Sequence, residues 1–214
     1  SDITYGARTT FSLIHADEKI AAIETGLLGA HNVEDIVAAS AYVLSRTLVT
    51  PTQLEAAVKA FAGVRRRLDN ITPNASVPVY EGFGSSYEKA RAAIEAIRLH
   101  FGTRDLVIVF EPHTFGWRNR ANLSWYDDVF DGARMVVLCE PPTQGANTHD
   151  QLSGQEITAR LQEVGTTVCR YNPEDMADTI GLLRPEDVVL VLTSGDLEGS
   201  ITSFIHTVEE TFPR

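Results

Sequence analysis

Apolar and polar residues alternate through TTFSLIH, with Phe11 and Leu13 set against Thr10 and Ser12, and this two-residue period predicts a strand with one buried face. The whole stretch TTFSLIHADEKIAAIETGLLG reads as two or three short strands, with HADEK as a polar turn. After Gly29 the period lengthens. In HNVEDIVAASAYVLSRTL, Ile36, Ala39, Val43 and Leu44 fall near helical spacing, and Asn32 is placed to cap the first turn. A second helix is expected in TPTQLEAAVKAFAG, with Thr50 as its cap, Pro51 at the first helical position and Gly63 as its stop. Periodicity lapses in VRRRLDNITPNAS, where Asn70, Pro73 and Asn74 gather, and this segment reads as a link into a second domain.

From Val77 the pattern changes to short apolar runs separated by helical lengths. Strands are expected in VPVY, DLVIVF, RMVVLCE, TTVCRY and DVVLVLT. Helices are expected in SSYEKARAAIEAIRLHFG, closed by Gly102, and in RANLSWYDDVFDGA, GQEITARLQEVG, PEDMADTIGLL and EGSITSFIHTVEETF. Near-continuous Val/Ile/Leu strands alternating with helices are what a parallel sheet covered on both faces requires, since neither face then meets water. The expected fold is therefore α/β: a doubly wound, mostly parallel, Rossmann-like sheet over residues 77–214, preceded by a small strand-plus-helix unit. Ligands of such sheets sit beyond the carboxyl ends of the strands. The segment FEPHTFGWRNR, Phe110 to Arg120, lies at such an end.

Charge sharpens that expectation. The 214 residues carry 18 basic and 29 acidic side chains, a formal charge of -11, which argues against nucleic acid or an anionic membrane as the main partner. His113, Arg118 and Arg120 stand out locally in this acidic chain, and they point to a small anionic ligand. With 43% hydrophobic residues the chain can bury an ordinary core, and no apolar run approaches the roughly 20 residues of a membrane span. The two cysteines, Cys139 and Cys169, sit on apolar runs without metal-type spacing and read as reduced core thiols of a cytoplasmic protein. His149 and Asp150, behind Cys139 and Glu140, are too irregularly spaced for a metal set and read as a polar loop. The stretch SGDLEGS reads as a strand-to-helix turn, the alternative being an anion nest at Gly195.

Three stretches in collinear order carry a resemblance to a known family. GAHNVEDIVAA resembles the G-x-H-N-x-x-N-x-x-A-A segment of the Mur ligases, GVRRRLD resembles their arginine segment before the C-terminal domain, and VIVFEPHTFGWRNR is similar to the "PHR" segment of their alanine-adding members. Glu111-Pro112 also resembles the murein peptide ligases of the same family. The resemblance implies a partial central, ATP-binding-type domain over residues 1–70 and a Mur ligase C-terminal α/β domain over 77–214. It implies ATP and magnesium as cofactors, a muramyl nucleotide or muramyl-peptide and an amino acid or peptide as substrates, and a role in cell-wall synthesis or recycling. In these enzymes a carboxylate is activated as an acyl phosphate and attacked by an amine. The glycine-rich phosphate loop with its lysine does not occur here, since Lys19, Lys59 and Lys89 all lie outside such a loop. An upstream P-loop domain is thus implied, and this chain alone is expected to be inactive.

Residue by residue, the resemblance places Asn32 near the adenine, although a helix cap accounts for it equally. Arg67 matches the arginine that reaches the nucleotide, and Glu81 stands for the first aspartate of D-D-[YF]-[AG]-H-H-P-T. His113 falls where the substrate carboxylate and transferred phosphate are held. Arg118 and Arg120 match downstream arginines after a shift of about one residue, and their guanidinium groups suit carboxylate and phosphate. Several positions depart from the pattern. Gly82 replaces the second aspartate, Ser85 and Ser86 the two histidines, Tyr87 the proline, Asp35 the second asparagine, and Thr114 an arginine. Either the substrate differs or catalysis has decayed to a noncatalytic binding module.

Overall fold

The alternating stretch forms a hairpin. In this computed structural model, which describes residues 1–143 and 150–214, β1 (Thr9–His15) pairs antiparallel with β2 (Glu18–Thr25). Ala16 and Asp17 join them with φ of 50° and 66°, the left-handed two-residue turn whose twist matches that of the strands. Phe11, Leu13, Ala21 and Ile23 pack with Val33 and Ile36 of α1 (Ala30–Ser45) and Leu54 of α2 (Pro51–Ala60). Thr50 caps α2 reciprocally: its hydroxyl accepts from Gln53 N–H at 3.3 Å, and Gln53 Oε1 accepts from Thr50 N–H at 2.9 Å. The start of α1 departs from expectation. Its cap is Gly29, and Asn32 sits inside the helix and donates to the Leu28 carbonyl at 2.7 Å. Glycine is needed there, because φ is 89° and a Cβ would lie 2.6 Å from that of Ala96.

The chain divides into two compact units, residues 1–65 with 95–102, and residues 66–94 with 103–214. The second holds a six-stranded sheet in the order β3 (Arg67–Asn70), β4 (Val79–Gly82), β8 (Asp187–Leu192), β5 (Asp105–Phe110), β6 (Met135–Leu138), β7 (Val168–Arg170). All neighbours are parallel except β3, which runs antiparallel to β4 at the edge. Residues 67–70, read from sequence as part of a link, are thus an edge strand. Four polar-rich residues show no apolar period, and an edge strand needs none, since backbone pairing on one side suffices. Every residue of β8 is buried, as a sheet covered on both faces demands.

One face of the sheet, with Val107, Val109, Val189 and Val191, packs on Ile180 of α6 (Met176–Ile180), on Leu183, and on Phe204 and Val208 of α7 (Ile201–Thr211). On the other, Phe110 meets Trp117 and Phe130 edge-to-face, each at 5.0 Å. The helices α3 (Tyr87–Phe101) and α5 (Gly154–Glu163) fall where helical spacing places them. RANLSWYDDVFDGA does not form one α-helix. A four-residue α4 (Phe115–Arg118) leads into a 3-10 helix (Arg120–Asp127) interrupted at Asn122. Side chains compete with the helical ladder here: Asn119 accepts from Ala121 N–H at 3.0 Å, and Asn122 donates to the Gly116 carbonyl at 3.0 Å.

Candidate functional site

The parallel ladder continues one residue past the strand ends, and this brings polar side chains together. Glu111 N–H donates to the Leu192 carbonyl at 3.0 Å and Thr193 N–H to the Gly82 carbonyl at 3.2 Å, so Glu111 and Thr193 emerge side by side. Both are buried, Glu111 at 4% exposure. The Thr193 hydroxyl donates to Glu111 Oε2, Leu197 N–H reaches the same oxygen at 3.3 Å, and Gly195 N–H donates to Thr193 Oγ1 at 2.8 Å. His113 Nδ1 lies 3.5 Å from Glu111 Oε1. Gly195 seals this group: a Cβ on it would stand 2.6 Å from Glu111 Oε2 and 2.7 Å from His113 Nδ1. Close approach, not backbone conformation, demands glycine at this position.

A second carboxylate flanks the first. Glu81, buried on β4, accepts from Arg66 Nε at 2.7 Å, and Arg66 Nη2 donates to the Gly195 carbonyl at 2.6 Å. Arg66 also lies over the Phe83 ring at 5.6 Å. The run Arg65-Arg66-Arg67 does not reveal which arginine turns inward. The structure selects Arg66, which has φ of 63° just before β3, and leaves Arg67 exposed. Two of the departures from the family pattern meet here as well, where the Thr114 hydroxyl donates to the Ser85 carbonyl at 2.9 Å.

Of the residues singled out from sequence, the structure draws Glu81 and His113 to the strand ends around Gly195. Arg118 and Arg120 are committed elsewhere. Buried Arg118 donates through Nη1 to the Pro142 carbonyl at 2.7 Å and to Gln151 Oε1 at 3.2 Å. Arg120 bridges Asp150 at 2.8 Å and Glu156 at 2.5 Å. The Arg120 hydrogen bond, with those of Ser153 after it, holds Glu156 at about 2, below the usual carboxylate range, and Glu156 and Asp150 in turn raise the Arg120 guanidinium further. The anions that Arg120 meets are the protein's own, and Arg118 meets neutral carbonyl oxygens. His149 lies outside the described residues. The signal that marked Glu111 and Thr193 was present in the sequence: each ends an otherwise wholly apolar, buried run.

Beside these strand ends lies an open cavity of about 690 Å³ lined by Glu140, Arg170, Tyr171, Asp178, Thr179 and Glu198. Glu198 is held above the usual carboxylate range, first by burial, with the charges of Glu111 and Glu140 adding to it. Burial likewise pushes up the Cys139 thiol, which is free and inert, as expected of a core thiol. Among the described residues no group of His, Cys, Asp and Glu is arranged to hold a metal ion. No helix of the described residues is long and apolar enough to cross a membrane.

No protein-family model matches the chain. It is 26% identical over 193 residues to the UDP-N-acetylmuramate–L-alanine ligase of Desulfosudis oleivorans, covering 89% of this chain and 42% of that protein. It is 31% identical over 202 residues to the enzyme of the same name from Roseiflexus sp., again covering 89% and 42%. The solved UDP-N-acetylmuramate-alanine ligase of Thermotoga maritima shares the fold with a TM-score of 0.76 at 18% identity, over 98% of this chain and 45% of that one. A Thermotoga maritima ligase crystallised with ADP superposes with a TM-score of 0.69 at 13% identity, over 99% and 46%. The chain spans less than half the length of the curated relatives it matches.

Proposed function

Because the chain belongs to the Mur ligase family and corresponds to the C-terminal portion of its members, we propose that it serves an ATP-dependent ligase joining an amino acid or peptide to UDP-N-acetylmuramate or a muramyl-peptide. The observation that carries this reading is the convergence of Glu81, Arg66, Glu111, His113 and Thr193 on Gly195 at the carboxyl ends of β4, β5 and β8. In such a reaction the chain's own groups bind and orient. The exposed edge of His113 meets an amine or hydroxyl of the substrate, and Arg66 and Glu81 hold the adjoining loop in place. The fixed dipoles around Glu111 spare the site reorganisation when the ligand arrives.

The resemblance implies ATP and magnesium for the reaction of the whole protein, and the groups it assigns to the nucleotide have partners or surroundings of their own in this chain. Lys59 is paired with Glu24 at 2.7 Å and Lys89 bonds Ser85 at 3.0 Å, neither in a phosphate-cradling loop. The Asn32 amide is engaged by Leu28, Arg67 is exposed on β3, and the Glu81 carboxylate is engaged by Arg66.

The test is calorimetry with a muramyl-peptide and the intact chain. The wild type is expected to bind, and His113→Ala to weaken binding by about 1 to 3 kcal/mol through loss of a charged hydrogen bond. Equal affinity of the two proteins, or no binding by the wild type, overturns the reading. A noncatalytic binding module is the second reading, and Gly82 favours it: the carboxylate that the family pattern places there is absent, and a Cβ at this position would have to displace the Leu192 Cδ2 methyl 3.3 Å away. ATP-dependent amide formation by any protein containing this chain would exclude that alternative.

A further inference from the structure

The turn after β5 folds one polar group onto another. His113 N–H donates to the Glu111 carbonyl at 2.7 Å, closing a γ-turn about Pro112. The proline ring fixes φ in the range such a turn uses. His113 Nδ1 thereby faces Glu111 Oε1 across 3.5 Å, short of a formed hydrogen bond, and this buried nitrogen has no hydrogen-bond partner among the described residues. Yet 39% of the side chain is open to solvent, so the accessible part of the ring lies away from Nδ1.

The carboxylate has an orientation of its own. Thr193 Oγ1 accepts from Gly195 N–H, which commits the hydroxyl proton to Glu111 Oε2, where Leu197 N–H also donates. Oε2 is thus the oxygen that receives protons from the protein, and Oε1 is the oxygen turned to the imidazole. The lack of a side chain on Gly195 gives both groups their room, since a Cβ there would stand 2.6 Å from Glu111 Oε2 and 2.7 Å from His113 Nδ1.

We propose that Glu111 is the positioning residue of His113: it fixes the ring proton on Nδ1 and leaves Nε2 as the acceptor presented to the ligand. A carboxylate that takes the proton of one ring nitrogen sets both the tautomer and the ring orientation. What Nε2 then accepts, a proton from an amine or hydroxyl of the substrate, rests on the ligase reading above. The placement of the ring proton rests on local geometry alone.

Nitrogen-15 spectra of the histidine rings in the intact chain test this, recorded at a pH where the ring is neutral and with His113 assigned by its loss in His113→Gln. The wild type is expected to show a protonated Nδ1 and an unprotonated Nε2. In Glu111→Gln the amide must put its oxygen where Thr193 and Leu197 donate. Its NH2 group then faces Nδ1, so the proton moves to Nε2 and the two nitrogen signals exchange character. A purely structural role for Glu111 predicts no such exchange. A wild-type ring protonated on Nε2 overturns the proposal without any variant having to fold, and so does an unchanged tautomer in Glu111→Gln. The expected tautomer in a protein that binds no muramyl-peptide would support the proposal while counting against the ligase reading.

Discussion

Arg120 sits between Asp150 and Glu156, and the consequence can be read in acid. The Glu156 carboxyl is lowered from 4.5 to about 2, chiefly by its hydrogen bond from Arg120. A depressed folded-state value means that the pair's stabilisation is present above 4.5 and is lost as pH falls through about 2. Glu156→Gln should therefore lower Tm slightly at neutral pH, and the difference from wild type should vanish in strong acid; a constant difference across an acid titration would disprove the linkage. Because Arg120 is exposed, solvent screening keeps the effect small. Arg118 differs in kind. It is 8% exposed and ties α4 to Pro142 and Gln151, so Arg118→Ala should cost about 2 to 4 kcal/mol in chemical denaturation, since buried acceptors lose a charged donor. A loss under about 0.5 kcal/mol, the range of ordinary surface changes, would show that those contacts do not hold the fold.

At the scale of elements, helix ends decide more than helix interiors. The capping box at Thr50 satisfies two backbone N–H groups at the start of α2. Thr50→Ala is expected to destabilise the protein by about 1 kcal/mol, measured by urea denaturation, and a neutral result would mean that α2 frays freely. The strands follow a different logic. β8 is buried throughout and is flanked by β4 and β5 on its two sides, which is why the residues just past its end, Thr193 and Gly195, are those that meet Glu111. The turn after β8 stays irregular, with Leu197, Glu198 and Gly199 all at positive φ before α7 begins. That conformation delivers the Leu197 N–H to the Glu111 carboxylate.

For the molecule as a whole, net charge and site charge have separate origins. A chain of -11 has little use for a phosphate-coated partner, while the strand ends gather Arg66 and His113 with Glu81 and Glu111. Most of the architecture was legible beforehand. Strands alternating with helical lengths from Val77 onward predicted the parallel sheet, and Phe11 and Leu13 predicted the hairpin. The illegible parts were short or polar: β3 has four residues and no apolar period, and the 3-10 helix follows side-chain bonds from Asn119 and Asn122 that periodicity does not register.

Sequence by itself determined the class of fold, the caps at Thr50 and Pro51, the strand whose end carries His113, and the family. These depend on periods and neighbours within a few residues of each other, which a linear string records. Only the tertiary structure decided which charges were available. It turned Arg66 rather than Arg67 inward, bound Arg118 and Arg120 to Gln151, Asp150 and Glu156 some 30 residues away, and laid Thr193 beside Glu111 across 82 residues of chain. Whether a charge can serve a ligand depends on what already satisfies it, and that is settled by contacts between segments that lie far apart in the sequence.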